Sequence, residues 1–110
     1  MATNKTSLWQ SGTAQQLVEA LVSIADIQTM QNFLRDVMTE KEISEISARL
    51  EAAKMLQAGR KYRDIVAVTK LSSRTVARIS EWLKNGCNGY QAALKAVDSH
   101  QAHISPARVV

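Results

Sequence analysis

Hydrophobic residues recur at helical spacing in two short segments, which are separated by a polar break at residues 70–73. The first segment predicts a helix whose inner face carries Ile65, Val68 and Thr69. The second predicts a helix whose apolar positions lie three and four residues apart: Val76, Ile79 and Leu83. Ser72 or Ser73 is a candidate N-cap, because a hydroxyl can accept from a free amide of the first turn. Two short helices joined by a tight turn are typical of a helix-turn-helix.

The opposite face of the second predicted helix is polar and basic: Ser73, Arg74, Ala77, Arg78 and Glu81. In a DNA-binding helix-turn-helix, the second helix lies in the major groove. A helix pair of this kind also occurs as a simple hairpin in helical bundles. The pattern alone therefore leaves both interpretations open.

Charge favours DNA. Between Lys54 and Lys84 the chain has eight basic and two acidic residues, a net charge of +6. The whole chain carries +4, so the remainder carries −2. The positive charge is concentrated where a groove-reading helix would meet phosphates.

Two amphipathic helices are predicted ahead of this pair. The first starts near Thr13 and has one apolar stripe: Ala14, Leu17, Val18, Leu21 and Ile24. The second follows Asp26, a candidate N-cap, and has a broad apolar face: Ile27, Met30, Phe33, Leu34 and Val37. These faces need a surface to pack on, either in their own chain or in a second chain.

A long helix from about Glu40 to Gln57 follows a capping box at residues 39–42. Five residues lie on one predicted face of this helix: Ile43, Ile46, Leu50, Ala53 and Gln57. Met55 and Leu56 broaden the face near the end of the helix. Gly59 can end this helix with a positive φ, and residues 85–86 can end the second helix of the pair.

A short last helix is predicted from Tyr90 to Val97, with Ala93, Leu94 and Val97 as its apolar positions. Residues 99–110 show no periodicity and are predicted to be disordered. The fold class is therefore all-α, with about six helices.

Composition narrows the range of functions. The chain has one cysteine, Cys87, so it cannot form an internal disulfide, which fits the cytoplasm. Neither a signal peptide nor a membrane-spanning segment is expected, because the first residues are polar and no apolar run approaches the roughly 20 residues that cross a bilayer. No catalytic or cofactor motif appears, so neither an enzyme nor a bound cofactor is expected. His100 and His103 have a chelating spacing but no third ligand nearby, so no metal site is expected.

The order of these parts is similar to the Trp repressor family of bacterial helix-turn-helix proteins, and most of all to its Gram-positive branch. The similarity covers about Phe33 to Leu94 and is carried by short motifs: Met38-Thr39 with Glu42, Arg49, Leu56 to Gly59, Arg63-Asp64-Ile65, Thr75-Val76, Arg78, Ser80 and Leu83. The spacing matches if one residue is missing after Gly59.

This resemblance implies an intertwined homodimer of six-helix chains. It implies a DNA-binding domain at residues 1–98, with the helix-turn-helix at about 61–84, followed by the tail at 99–110. Eight residues fall where the family contacts DNA: Tyr62, Arg63, Val66, Ser72, Ser73, Arg74, Thr75 and Ala77. The basic residue Lys61, which precedes them, is expected to contact DNA as well. Arg can donate bidentately to guanine, and Ser or Thr can contact phosphate or base edges.

The family's corepressor pocket is only partly matched. Thr39, Arg49 and Arg78 agree with it, whereas Ile79 stands at a glycine position and Trp82 at a serine position. Both side chains are larger than those of the family and reduce the volume of the pocket, so a response to tryptophan is not expected. Any other effector is unknown. Trp82 is expected to pack in the core, the alternative being that its indole fills the pocket. Arg49 and Arg78 can then pair with carboxylates such as Glu45 or Glu81.

The sequence thus predicts a homodimeric, sequence-specific DNA-binding regulator of the repressor type. Double-stranded DNA is its expected partner, and it is expected in the cytoplasm at the nucleoid, away from any membrane. The alternative is a helical interaction module or adaptor that does not bind DNA specifically.

Overall fold

Six α-helices make up most of the chain in the computed structural model, which describes residues 7–108 and the side chains of residues 7–99. The helices are α1 Gly12–Ser23, α2 Ile27–Val37, α3 Glu40–Gln57, α4 Tyr62–Thr69, α5 Ser73–Asn85 and α6 Gly89–Arg108. A helical turn at residues 7–10 precedes α1. Residues 7–108 contain no β-strand, so the predicted all-α fold is confirmed. None of the helices in this range is both long and apolar enough to cross a bilayer.

The chain divides into two compact units, residues 1–41 and residues 42–110. The first unit contains α1 and α2, and its boundary falls within the first turn of α3. The second unit contains the rest of α3 and the helices α4 to α6.

Both helices of the first unit begin at side-chain caps. The Ala14 amide donates to Ser11 Oγ at 3.5 Å, and the Thr29 amide donates to Asp26 Oδ2 at 2.9 Å. The predicted cap at Asp26 is therefore confirmed. The backbone amide of Thr29 holds the pKa of the Asp26 carboxyl below its ordinary value, because that bond favours the charged form.

The apolar stripes of α1 and α2 are only partly covered. Neither helix has a fully buried residue. Met30, Phe33 and Leu34 are half-buried, whereas Val22 is 80% exposed and Ile27 is 63% exposed. An amphipathic helix gains most of its stability by burying its apolar face, so these stripes are available to a further surface.

In the second unit, α3 ends as the sequence predicts. Gly59 has φ 81°, which a residue without a Cβ adopts at little cost. The Gly59 amide donates to Leu56 O and the Arg60 amide donates to Met55 O, both at 3.0 Å. These two bonds form a Schellman motif that satisfies the last carbonyls of the helix.

The core of the second unit takes side chains from each of its four helices. Its buried members are Ala52, Ala53, Met55, Ile65, Val76, Ile79 and Leu94. Half-buried apolar residues pack around them: Leu50, Leu56, Val66, Leu71, Leu83 and Tyr90. The two fully buried alanines leave room for the large side chains of α4 and α5 to fill the interior.

The buried face of α3 differs from the predicted stripe. Ile46 is 55% exposed and Gln57 is exposed, whereas Ala52 is fully buried. Part of the predicted face is confirmed, because Ala53 and Met55 are buried and Leu50 and Leu56 pack against the core. The buried face is rotated away from the isoleucine side of the helix. Alanine contributes little to a hydrophobicity pattern, so the larger isoleucines dominated the prediction. The prediction that Val68 faces inward is also wrong. Val68 is 57% exposed, and Val66 packs against the core instead.

Helix α5 ends at Asn85, as predicted, but Gly86 serves a different purpose there. Its φ is −88°, so no positive φ is required. A Cβ at this position would lie 2.5 Å from the carbonyl oxygen of Trp82, a backbone atom that cannot move away cheaply. Glycine is needed at residue 86 because the chain passes so close to the last turn of α5.

Helix α6 is longer than predicted. It runs from Gly89 to Arg108, so the segment from residue 99 that was predicted to be disordered is helical as far as Arg108. Among residues 89–99 of this helix only Leu94 is buried, while Ala93 and Val97 are exposed. A helix that has been nucleated by packing gains one hydrogen bond per added residue, so it can continue without an apolar stripe. Residues 109–110 and the side chains of His100 and His103 lie outside the described part.

Candidate nucleic-acid interface

The turn between α4 and α5 is held by hydrogen bonds within its own residues. Thr69 Oγ1 donates to Ile65 O at 2.7 Å and accepts from the Leu71 amide at 3.3 Å. The Lys70 amide donates to Val66 O at 2.9 Å, and Lys70 itself has φ 64°. This left-handed residue ends α4 and turns the chain towards α5.

Ser72 is the N-cap of α5. The Thr75 amide donates to Ser72 Oγ at 3.1 Å, and the two hydroxyl oxygens of Ser72 and Thr75 also lie 3.1 Å apart, with either as the donor. Ser73 is therefore the first residue of the helix and keeps an exposed side chain. Of the predicted hydroxyls, Ser72 and Thr75 organise the helix start, and Ser73 is open to a partner.

The two helices are fixed to each other through the core. Ile65 on α4 and both Val76 and Ile79 on α5 are fully buried. The predicted inner positions of α5 are thereby confirmed, and its predicted outer positions are all exposed. A buried inner face locks the orientation of α5, so its outer residues are presented on a rigid support.

The predicted DNA-contacting residues do not all lie on the surface. Those that are exposed are Lys61, Tyr62, Arg63, Ser72, Ser73, Arg74 and Ala77. Thr75 is half-buried, and Val66 is half-buried against the core. Lys70 is one of the cations of this segment but is not among the predicted contact residues. It lies exposed in the turn, next to them in sequence.

Among the side chains that the structure describes, the cations of α4, α5 and their flanks have no carboxylate partners. Within residues 7–99 an ion pair is formed by Arg35 with Glu40, at 3.5 Å, and by Arg49 with Glu45, at 3.1 Å. In the same range, none of the following exposed residues forms one: Arg60, Lys61, Arg63, Lys70, Arg74, Arg78 and Lys84. Cations left unpaired on one surface attract a polyanion and release its counterions on binding.

The residues of the predicted corepressor pocket are distributed over different environments. Arg49 is paired with Glu45, as expected, and an open groove on α3 is lined by Glu42, Glu45, Ile46 and Arg49. Ile79 is fully buried, and Arg78 is exposed without an ion pair in the described part of the chain. Thr39 belongs to the first unit, directly before α3.

Trp82 does not pack in the core as predicted. Its side chain is 42% exposed, because it lies at the edge of α5 between the buried face and the basic face. No group of histidine, cysteine and acidic residues suited to a metal ion occurs among the residues whose side chains are described.

Comparisons with known proteins agree with this arrangement. The family model described as Trp repressor protein matches residues 12–98. The uncharacterized protein YerC of Bacillus subtilis (strain 168) is 32% identical over 90 residues, which cover 82% of this chain and 86% of that protein.

Solved structures show the same fold. The crystal structure of a TrpR like protein from Eubacterium eligens ATCC 27750 matches with a TM-score of 0.76 and 33% identity, covering 82% of this chain and 93% of that one. A crystal structure from Staphylococcus aureus matches with a TM-score of 0.74 and 26% identity, covering 80% of this chain and 88% of that one. The matches extend through both compact units, and the resemblance drawn from the sequence is confirmed. This chain belongs to the Trp repressor protein family.

Proposed function

We propose that this protein is a sequence-specific DNA-binding transcription regulator, a repressor that acts as a homodimer on double-stranded DNA in the cytoplasm. The observation that carries the proposal is the unpaired basic surface of α4 and α5 on a rigid helix-turn-helix. Proteins of the Trp repressor family are DNA-binding regulators rather than enzymes, in agreement with the absence of catalytic motifs from the sequence.

Within this surface, α5 is the element that enters the major groove. Its N-terminal residues Ser73 and Arg74 are exposed and point away from the core, where base edges can be reached. Lys61 and Arg63 at the start of α4, with Lys70 in the turn, supply sequence-independent contacts to phosphates. Tyr62, 43% exposed, can add a hydroxyl contact to the backbone.

The homodimer is supported by apolar side chains that the single chain leaves open. Val22, Ile27 and Val37 in the first unit are each more than half exposed, and so is Ile46 in the second. Large exposed apolar patches are rare on monomeric proteins and mark sites of interaction. A second copy of the chain is the partner that the family resemblance implies.

A response to L-tryptophan is not expected. Arg49 already pairs with Glu45, and Ile79 and Trp82 add volume where a ligand would need space. Forcing additional atoms into a filled site costs about 1–3 kcal/mol. Isothermal titration with millimolar L-tryptophan should give only heat of dilution, with D-tryptophan as the control. A saturable heat specific to the L-isomer would contradict this prediction.

Selection of bound sequences from random duplex DNA tests the proposed function. We expect a palindromic site, with half-sites separated by one helical turn of about 10 base pairs, because a symmetric dimer presents two copies of α5. Arg74→Ala should reduce discrimination between the selected duplex and a scrambled one by about 1–3 kcal/mol.

Lys61→Ala is the matched comparison for Arg74→Ala. As a phosphate contact, it should weaken binding to both duplexes equally and lower the slope of log K against log salt by about one unit. If the selection enriches no sequence and the protein instead binds a protein partner with little dependence on salt, the adaptor function is favoured over DNA binding.

A further inference from the structure

Three residues of α5 form a line along its outer side. Arg74, Arg78 and Trp82 are spaced by four residues, and all three are exposed, Trp82 by 42%. Residues four apart on a helix are neighbours and lie about 6 Å apart along the axis. The core contacts of α5, Val76 and Ile79, are on another face, so this line is available to a partner.

Arg78 is the middle member of the line, and its guanidinium is uncommitted. The acidic residue nearest to it in sequence is Glu81, whose Oε2 accepts from Asn85 Nδ2 at 2.7 Å. Arg78 forms no ion pair among the residues with described side chains, in contrast to Arg49, which pairs with Glu45 at 3.1 Å. A guanidinium has five N–H donors in a planar fork that matches a phosphate bidentately.

We propose that Arg78 binds a phosphate of the DNA backbone, while Arg74, one turn closer to the N-terminus of α5, reads a base edge. This inference rests on the proposed function and assigns to DNA a residue that the family resemblance places in an effector pocket. The N-terminal residues of a recognition helix enter the major groove, which is about 8.5 Å deep. A residue about 6 Å further along the helix reaches the rim of the groove, where the phosphates lie.

The proposal gives Trp82 a positioning role for Arg78. Trp82 follows Arg78 by one turn of α5, and its side chain is partly exposed. An aromatic face four residues from an arginine attracts the cation and limits the orientations that its flexible side chain explores. DNA binding in which Arg78 contacts phosphate directly needs no small molecule to complete the surface.

The test measures binding of the full-length protein to the selected duplex and to a scrambled duplex between 50 and 200 mM salt, with no small molecule added. Arg78→Ala should weaken binding to both duplexes by the same factor, about tenfold, and lower the salt slope by about one unit. Arg78→Lys should restore most of the salt slope, because it keeps the charge. Trp82→Phe should retain binding, and Trp82→Ala should move affinity part of the way towards Arg78→Ala.

Lys95→Ala is the control. It removes one positive charge from an exposed position on α6, and it should leave both affinities and the slope unchanged. Circular dichroism spectra that match the wild type will establish that each variant is folded.

Three results would overturn the inference. Arg78→Ala could bind both duplexes as the wild type does, or it could lose affinity for the selected duplex alone, which would make Arg78 a base-reading residue. A wild-type protein that binds DNA only when a small molecule is added would contradict the effector-independent contact. Failure of the wild type to bind any duplex is a separate result, which would refute the proposed function itself.

Discussion

Replacing Ile79 with alanine is expected to lower the free energy of unfolding by about 2–5 kcal/mol, a large part of the stability of a small protein. Ile79 is fully buried, and so are Ile65 and Val76 of the same core. Removing its branched side chain forfeits the transfer free energy of the buried methyl groups and leaves a cavity that the alanines of α3 are too small to fill.

Val68→Ala is the matched control, because Val68 is a β-branched residue on α4 that is 57% exposed. It should change stability by no more than about 0.5 kcal/mol. Urea unfolding at one fixed protein concentration compares the two variants. A cost below about 1 kcal/mol for Ile79→Ala would contradict the packing of the core.

The buried position of Ile79 also bears on the pocket. Shortening it to make space for an indole would open the core of the second unit, so the protein would lose stability before it gained a ligand. The position therefore contributes to the fold more than to an effector site.

The second large effect is expected in the oligomeric state. At low micromolar concentration the wild type should sediment at twice the 12.1 kDa mass of the chain. Leu17→Glu should sediment as the monomer, because it places a charge in the apolar stripe of α1, where Leu17 is 47% exposed in the single chain. Burying an unpaired carboxylate in an apolar interface costs several kcal/mol, so the charged stripe would no longer pack against a second chain.

Gln16→Glu introduces the same charge at a neighbouring exposed position outside the stripe, and it should remain dimeric. Thermal unfolding offers a second measurement, since the melting temperature of a dimer rises with protein concentration. A stable, well-folded wild-type monomer with a concentration-independent melting temperature would refute the homodimer.

Local features of this fold could be predicted from the sequence because they depend on a few adjacent residues. The cap at Asp26 and the end of α3 at Gly59 are both decided within one or two turns, whereas the sequence leaves the cap of α5 open between Ser72 and Ser73. The basic surface could also be predicted, because a run of cations without acids has few partners in any fold.

Burial was harder to predict, because it depends on which neighbour a helix meets. Ile46 and Val68 have the spacing of inner residues, yet both are more than half exposed, and Ala52 is completely buried. Trp82 is 42% exposed and so departs from the expected core packing, because the packing of Val76 and Ile79 decides which side of α5 is buried. The residue contacts with DNA and the vestigial pocket stay predictions until they are measured.

The left-handed residue in the turn links affinity to stability. Lys70 adopts φ 64°, a conformation that costs a residue with a side chain about 1–2 kcal/mol and glycine almost nothing. A glycine at this position would make the chain more stable, but it would also remove a cation from the surface proposed to face DNA. At this single position, a substitution that raises the stability of the protein is expected to lower its affinity for nucleic acid.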